Sequence, residues 1–482
     1  PFDLDYPLVQ LSDYPEDTLT LGDFVTGCFI TGSSGSGKTT GPGAHFARAF
    51  LRANYGGLVL TTKPGERQQW EHWCRQTGRL GDLVVMDDSA KYRFNFMQYE
   101  SSRSGPGGGL TANLASLFVT IMEATESGQA NAHDQFWRLA VKQLLKNAID
   151  LLLAAEEELS ITNLKRLVVT SPDQPERLHD PNWIARSYCI QCLEATKNKM
   201  LNEDQRIDLD EVERFFLVEA PGQDSDTRAN VIQTFSVMAD GFCRDLFRKL
   251  FSTDLNIIPE WSIEGKIILL DLPVKTHHEA GRTAQVAFKY LWQQAMERRE
   301  VGSGSNRVIP VFLFLDEFQE FATSRDALFQ ATARSSRVCT VSLTQSIAGL
   351  YDRMGGGNGK HAVDALLANM SIKVMCACGC PENNRWSEDL INKKWRYRGQ
   401  SSVSFNRQQE DPRKLLAGPA RPQISGSVSP SLESQILPTA FTQLKSGGAR
   451  NTYRVDTIVF ATSRVWAHSR ANYLPVTFLQ EF

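Results

Sequence analysis

No stretch of this chain approaches the roughly 18 consecutive apolar residues that a membrane-crossing helix needs, and its start shows no basic leader followed by an apolar run. Charge of one sign is not in excess either. Against 52 lysines and arginines stand 55 aspartates and glutamates, a formal net charge of −3, which excludes a surface basic throughout but not a local basic channel. Histidines are few, 8 in all, and scattered, so structural roles are favoured; His277-His278, in an expected loop after Asp271-Leu272-Pro273, is the one pair placed to touch a ligand. The 9 cysteines are irregularly spaced, as reduced thiols are in a long chain. Cys376, Cys378 and Cys380 read as one face of a strand continuing residues 371–375. Cys189 and Cys192 form a lone pair on an expected helix, so buried thiols are favoured over a metal set. Glu156-Glu157-Glu158 reads as a solvated helix end, and no internal repeat is visible.

What is present is sharper. Gly32-Ser33-Ser34-Gly35-Ser36-Gly37-Lys38-Thr39 fits G-x-x-x-x-G-K-[ST] at every fixed position. The glycines let successive N–H groups, up to Thr40, face a phosphate chain; Lys38 reaches the β- and γ-phosphates and the Thr39 hydroxyl ligates Mg²⁺. The flanks suit the motif: residues 24–30 form an apolar run expected to be a buried strand, and residues 44–54 have helical spacing, with Gly56-Gly57 expected to stop the helix. A second apolar run, 307–315, ends in Asp316-Glu317. A strand buried on both faces reads as continuous apolar sequence, and ligands bind at the carboxyl ends of strands in open α/β sheets. Asp316 is therefore expected to hold Mg²⁺, and Glu317 to orient or deprotonate the attacking water. Gln345 ends a further strand, 338–343, where a polar side chain can meet the γ-phosphate or that water; Arg334 and Arg337 precede the strand.

The length, 482 residues, allows two or three domains. After an irregular lead-in over residues 1–23, strands at 57–62 and 83–86 alternate with a helix at 66–77, which implies a parallel sheet. Residues 101–109 read as a flexible joint, and the segment beyond it is almost wholly helical in periodicity, strongest over 136–153. The sheet resumes at 266–271, followed by a helix over 283–299 and the spacer 302–305. Residues 355–359 read as a glycine loop, 398–435 as a polar mobile excursion, and 453–460 with 473–478 as closing strands. The fold class is α/β: a nucleotide-binding domain in two parts, 1–100 and 256–482, with an all-α domain, 101–255, inserted between them.

On the phosphate loop, the Lys63-Pro64-Gly65-Glu66 turn, Phe94-Asn95-Phe96, the Phe136-Trp137 helix, Leu315-Asp316-Glu317-Phe318, Ala333-Arg334, Leu343-Thr344-Gln345-Ser346, and the later blocks 366–374 and 441–448, the chain resembles the conjugative coupling proteins of type IV secretion. These are TraG/TraD-type ATPases within the FtsK/HerA class of ring motors, and the resemblance runs over nearly the whole chain. It implies a RecA-like P-loop domain and an all-α substrate-recognition domain in a hexameric ring, with ATP and Mg²⁺ between subunits. Arg334, with Arg337 second, becomes the arginine that acts on the neighbour's site. The expected partners are further copies of the chain, DNA or relaxase–DNA, effector proteins and secretion-channel components. The expected location is the cytoplasmic face of the bacterial inner membrane, reached through a segment outside this sequence. Two features differ from the family's pattern. The usual N-terminal anchor is missing, through removal ahead of Pro1 or because this is a soluble relative. The second strand ends Thr61-Thr62-Lys63-Pro64-Gly65 where Asp-Pro-Lys-Gly-Glu is usual, which leaves the role of Lys63 open. Two other readings stand beside a secretion motor: a soluble FtsK/HerA-like DNA translocase of a defence or plasmid-maintenance system, and a docking receptor switched by nucleotide with little turnover.

Overall fold

Residues 1–104, 108–125, 132–197, 199, 202–299, 309–354, 356–404 and 423–480 are described by the structure, a computed structural model. In chain order its strands are β1 (Pro7–Gln10), β2 (Thr18–Thr20), β3 (Cys28–Thr31), β4 (Gly56–Leu60), β5 (Leu83–Met86), β6 (Ile267–Leu270), β7 (Val311–Leu315), β8 (Val338–Thr344), β9 (Ile372–Met375), β10 (Lys393–Ser404), β11 (Gln423–Ser434), β12 (Arg454–Ala461) and β13 (Tyr473–Leu479). Nine of them make one sheet in the order β13-β12-β9-β3-β8-β7-β4-β6-β5. From β9 to β5 all neighbours are parallel, and β12 and β13 add an antiparallel edge. β3, β4, β6, β7, β8 and β9 are buried along their whole length, because helices cover both faces and leave no position for a solvated side chain.

One apolar core lies on the face covered by the helix Ala44–Arg52 and the helix Glu66–Gln76. The other runs from the opposite face straight into the helical segment, where Phe96 meets Phe118 and Phe242 at 5.8 and 5.4 Å. Those helices begin on side-chain caps, as Asn95, Ser160, Ser187, Asn202 and Asp224 each accept a backbone N–H of the first turn. The helical segment thus docks on the sheet through shared aromatic packing, which ties its orientation to that of the nucleotide edge.

Several expectations are corrected. Residues 21–24 are a short helix capped by Thr20, and β3 begins only at Cys28, after Gly27 turns the chain at φ +85°. The lead-in is not irregular, since β1 and β2 pair antiparallel within it. Gly56 and Gly57 do not stop a helix; Asn54, at φ 61°, does, and the glycines open β4. They are glycines because a Cβ at Gly56 would sit 2.1 Å from the Ser262 carbonyl oxygen, and one at Gly57 2.5 Å from that of Phe312. His277-His278 belongs to the helix Val274–Arg298, which is broken at His278. The glycines from 356 onward start the helix Gly356–Asn369 rather than a loop. The described parts of the excursion at 398–435 form a two-stranded antiparallel ribbon, β10 with β11. Its centre, 405–422, lies outside the described residues, as do the spacer at 302–305 and residues 105–107 of the joint.

Lys373 sits inside β9 with 3% of its surface exposed, and its ammonium lies 5.8 Å over the Phe460 ring. Burial pushes it down to about 8, against an upward pull from Cys28. A folded value below the unfolded one makes the cost of burial full below pH 8 and vanishing toward the unfolded value of about 10.4. Lys373→Met is therefore expected to raise stability at pH 7 by about 1–3 kcal/mol. The gain should shrink at pH 9.5, read from urea unfolding at both values; an equal gain at the two would remove the buried charge as its cause.

Candidate active site

The segment after β3 curls into a cradle. Gly35 and Gly37 take φ +74° and +81°, the left-handed region that a side chain disfavours. A Cβ at Gly37 would lie 2.5 Å from Val455 Cγ2 of β12, so that strand backs the loop. Gly32 is also hemmed in, with a Cβ there 2.7 Å from Cys376 Cβ. Ser33 ties the loop to the segment after β9, its N–H donating to the Ala377 carbonyl and its Oγ accepting from the Gly379 N–H. Ser34 and Gly35 are exposed at the rim, and Ser36 Oγ is buried with no hydrogen-bond partner among the described residues. Thr39 opens the turn Thr39–Gly43 that leads into Ala44–Arg52, and the Thr40 hydroxyl accepts from Gln480 Nε2.

Beside this cradle, Asp316 and Glu317 leave the carboxyl end of β7. Thr39 Oγ1 donates to Asp316 Oδ2 at 2.9 Å, bringing together the two expected metal ligands. Glu317 stands at φ 51°, and its N–H donates to Asp316 Oδ1. Lys63 Nζ, from the turn after β4, donates to Glu317 Oε1 at 2.5 Å; Gln345 Nε2 donates to the same oxygen at 2.7 Å, and Gln319 Nε2 to Oε2 at 3.0 Å. Lys38 Nζ, itself buried, is 4.0 Å from Glu317 Oε1. Burial alone would raise Glu317, but Lys63, Gln319, the Lys38 charge and Gln345 outweigh it and hold the carboxyl at about 2. Asp316 is pushed up by its burial, and Glu66 rises to about 8 through burial and the nearby Asp316 charge. Glu66 Oε2 accepts the Thr62 N–H, while its buried Oε1 has no hydrogen-bond partner among the described residues.

Such crowded, partly unsatisfied carboxylates beside a threonine hydroxyl suit a divalent cation, whose charge would lower both acids. The open cradle with the unpartnered Ser36 Oγ suits a phosphate chain. Sequence reasoning left Lys63 open and passed over Glu66, Gln319 and Asn383. Asn383 Nδ2 donates to Thr31 Oγ1 and to the Gln345 carbonyl, holding β3 and β8 in step at the site. The only sequence signal for Lys63 and Glu66 is their place at the end of the second strand; nothing local marks Gln319 or Asn383.

The two arginines are not brought here. Arg334 is exposed and Arg337 donates to the Phe2 carbonyl, both before the start of β8. They lie at the amino-terminal end of β8, the end opposite Gln345; at the rise of an extended strand Arg337 is roughly 26 Å from it. His277 pairs with Asp88 at 3.4 Å, at a neighbouring cleft. β9 ends at Met375, so Cys376 and Cys378 are not on a strand face; both are buried, and burial pushes the Cys376 thiol up to about 12. Cys189 and Cys192 are buried on the helix Tyr188–Thr196. Among the described residues no three His, Cys, Asp or Glu side chains converge as a metal-binding group.

Residues 310–423 match the family model described as the TraM recognition site of TraD and TraG. No curated protein sequence matches the chain. Among solved structures, the unbound bacterial conjugative coupling protein TrwB lacking its first 70 residues superposes with a TM-score of 0.62 at 11% identity, covering 99% of this chain and 90% of that one. TrwB with the non-hydrolysable GTP analogue GDPNP gives 0.61 at 12% identity over 98% and 89%. TrwB with ADP and Mg²⁺ gives 0.59 at 12% identity over 98% and 90%. The chain therefore shares the α/β fold of the conjugative coupling protein TrwB, and its residues 310–423 match the model of the TraM recognition site of TraD and TraG.

Proposed function

We propose that this chain is an ATP-hydrolysing coupling protein, a motor subunit that recruits DNA, relaxase–DNA or protein substrates to a type IV secretion channel. The observation that carries the reading is Glu317: a buried, ionised carboxylate beside Lys38 of the phosphate loop, aimed by Gln345 and Lys63. Residues 32–40 would cradle the triphosphate, with Lys38 on the β- and γ-phosphates. Thr39 and Asp316 would hold Mg²⁺, which when bound neutralises phosphate charge. A carboxylate near 2 is a weak base, so Glu317 acts chiefly by orienting the attacking water and accepting its proton late, with Gln345 as second anchor. Lys63 must release Glu317 for this, and a phosphate oxygen is a fitting new partner for its ammonium.

Among the described residues, no arginine of the same chain joins the hydrogen bonds around Glu317 and Asp316. That supports a ring, dispensable for nucleotide capture but needed for fast hydrolysis, in which exposed Arg334 reaches the neighbour's nucleotide and Arg337 supports it. By its description the 310–423 segment would also meet a TraM-like partner. Among the described residues no helix is long and apolar enough to cross a membrane, so placement at the inner membrane would depend on a segment outside them.

Steady-state hydrolysis with and without single- and double-stranded DNA tests the reading. Turnover stimulated by DNA is expected. Turnover without stimulation by either form would discard DNA as cargo in favour of protein. Binding of ATP without turnover would replace the motor by a nucleotide-switched receptor.

A further inference from the structure

Asn383 is a buried amide, 1% exposed, so its donors and its acceptor must find partners inside the protein. They find them at the candidate active site. Nδ2 donates to the Gln345 carbonyl at 3.1 Å and to Thr31 Oγ1 at 3.0 Å, with Cys378 Sγ 3.5 Å from the same nitrogen. Oδ1 accepts the Ile347 N–H at 3.0 Å. A carbonyl only accepts and an N–H only donates, so these partners fix which end of the amide faces which.

Each partner is a point where the site is held. Thr31 ends β3 and directly precedes Gly32 of the phosphate loop. Gln345 is the first residue past β8, and its side chain donates to Glu317 Oε1 at 2.7 Å. Ile347 opens the helix Ile347–Arg353, whose N-cap residue, Ser346, makes no side-chain cap. The first N–H groups of a helix have no acceptor within it, and Asn383 supplies one from another helix. One amide thus pins the backbone at Gln345 and again two residues on. A glutamine side chain is long, so a small shift of that backbone is carried in full to the Nε2 that meets Glu317.

The mount of Asn383 is itself fixed at several points. On the helix Pro381–Ile391, Trp386 packs edge-on against Phe29 of β3 at 6.0 Å, and Asn384 Nδ2 donates to the Cys378 carbonyl at 3.0 Å. At the other end the Ile391 carbonyl accepts from Gln435 Nε2 and Asn472 Nδ2, each at 3.0 Å. The helix is therefore a frame against which the end of β8 is set.

We propose that Asn383 is a positioning residue for hydrolysis: it holds the Gln345 backbone from the helix Pro381–Ile391 so that the Gln345 amide stays on Glu317. This rests on the reading of the site as an ATPase in which Gln345 is the second anchor of the attacking water.

The test is a double-mutant cycle on the whole chain. It uses Asn383→Leu, which keeps the volume and removes the donors and the acceptor, Gln345→Ala, and the two combined. Asn383→Ala is carried through the same cycle, in case the leucine variant does not fold. Single-turnover hydrolysis at saturating ATP is expected to slow about tenfold or more in Asn383→Leu, with the half-saturating ATP concentration little changed. In the Gln345→Ala background the same change should cost less than about twofold, because a residue that acts through Gln345 has nothing left to position. An equal loss in both backgrounds would make Asn383 purely structural and overturn the proposal. So would a loss confined to ATP affinity, which would place its effect at Thr31 and the phosphate loop, and so would native-like turnover in both Asn383 variants. Native-like turnover in Gln345→Ala would take Gln345 out of the reaction and the proposal with it. A native chain that binds ATP without turnover would instead overturn the ATPase reading beneath it.

Discussion

Glu317→Gln is expected to lower ATP turnover by about 10²–10⁴-fold, the usual worth of a positioned general base, while nucleotide affinity changes only a few-fold. The amide keeps the shape of the carboxylate and can still accept from Lys63 and Gln345 through one oxygen, so the turn at φ 51° and its hydrogen bond to Asp316 survive. It loses the negative charge that orients water and takes its proton. Binding depends little on that charge, because the phosphate-loop N–H groups are separate from it and Lys38, 4.0 Å from Glu317, keeps its own charge for the phosphates. The check is paired: single-turnover hydrolysis for the rate, and titration with a fluorescent ATP analogue for affinity. Lys38→Ala should show the complementary pattern, with affinity lost as well. Native-like turnover in Glu317→Gln would mean that the carboxylate serves structure and that another group activates water.

Asp326→Ala should be the most damaging change away from the phosphate loop, at about 3–5 kcal/mol, the cost of leaving a buried charge without its partner. Lys289 is completely buried on the helix Val274–Arg298, and its Nζ donates to both Asp326 oxygens, at 2.7 and 2.6 Å, and to the Phe321 carbonyl at 2.7 Å. Burial pushes the ammonium down, and Asp326 is what keeps it charged. Asp326 also accepts from Gln293 and from the Thr323 backbone, closing the capping box of the helix Ser324–Thr332. These hydrogen bonds set the path of the chain from Glu317 to Ser324, so catalysis should weaken together with stability. Thermal unfolding should fall by about 3–5 °C. The double change Lys289→Met/Asp326→Leu, which removes both charges, should recover most of the loss. A double variant no better than the single one would show that packing, not the stranded charge, governs this site.

How much was legible beforehand depended on range. Phosphate-loop geometry is local: Gly35 and Gly37 take left-handed angles within a few residues of Lys38, and their spacing is readable in one dimension. The strands β4, β7 and β8 were equally plain, because burial on both faces leaves continuous apolar runs. Errors came where a residue's reason lies far along the chain. Gly56 and Gly57 look like a helix stop until Ser262 and Phe312 are seen pressed against them. The serine- and glycine-rich stretch after Ile391 looks like a loop because neither face of its ribbon is buried, so the alternation that marks a strand carries no clear polarity.

The sequence by itself determined that a triphosphate loop is present, that Asp316-Glu317 ends a buried strand and that Gln345 ends another, since each of these is written in contiguous residues. Only the tertiary structure decided that Lys63 and Gln345 share one oxygen of Glu317, that Glu66 crowds Asp316, and that Arg334 and Arg337 stand at the amino-terminal ends of the strands, away from the site. The reason is strand order. β3, β8, β7 and β4 lie side by side although they are spread widely along the chain, so groups on the turns after them converge at the carboxyl ends of the strands, while residues before β8 are carried to the amino ends by the length of the strand itself.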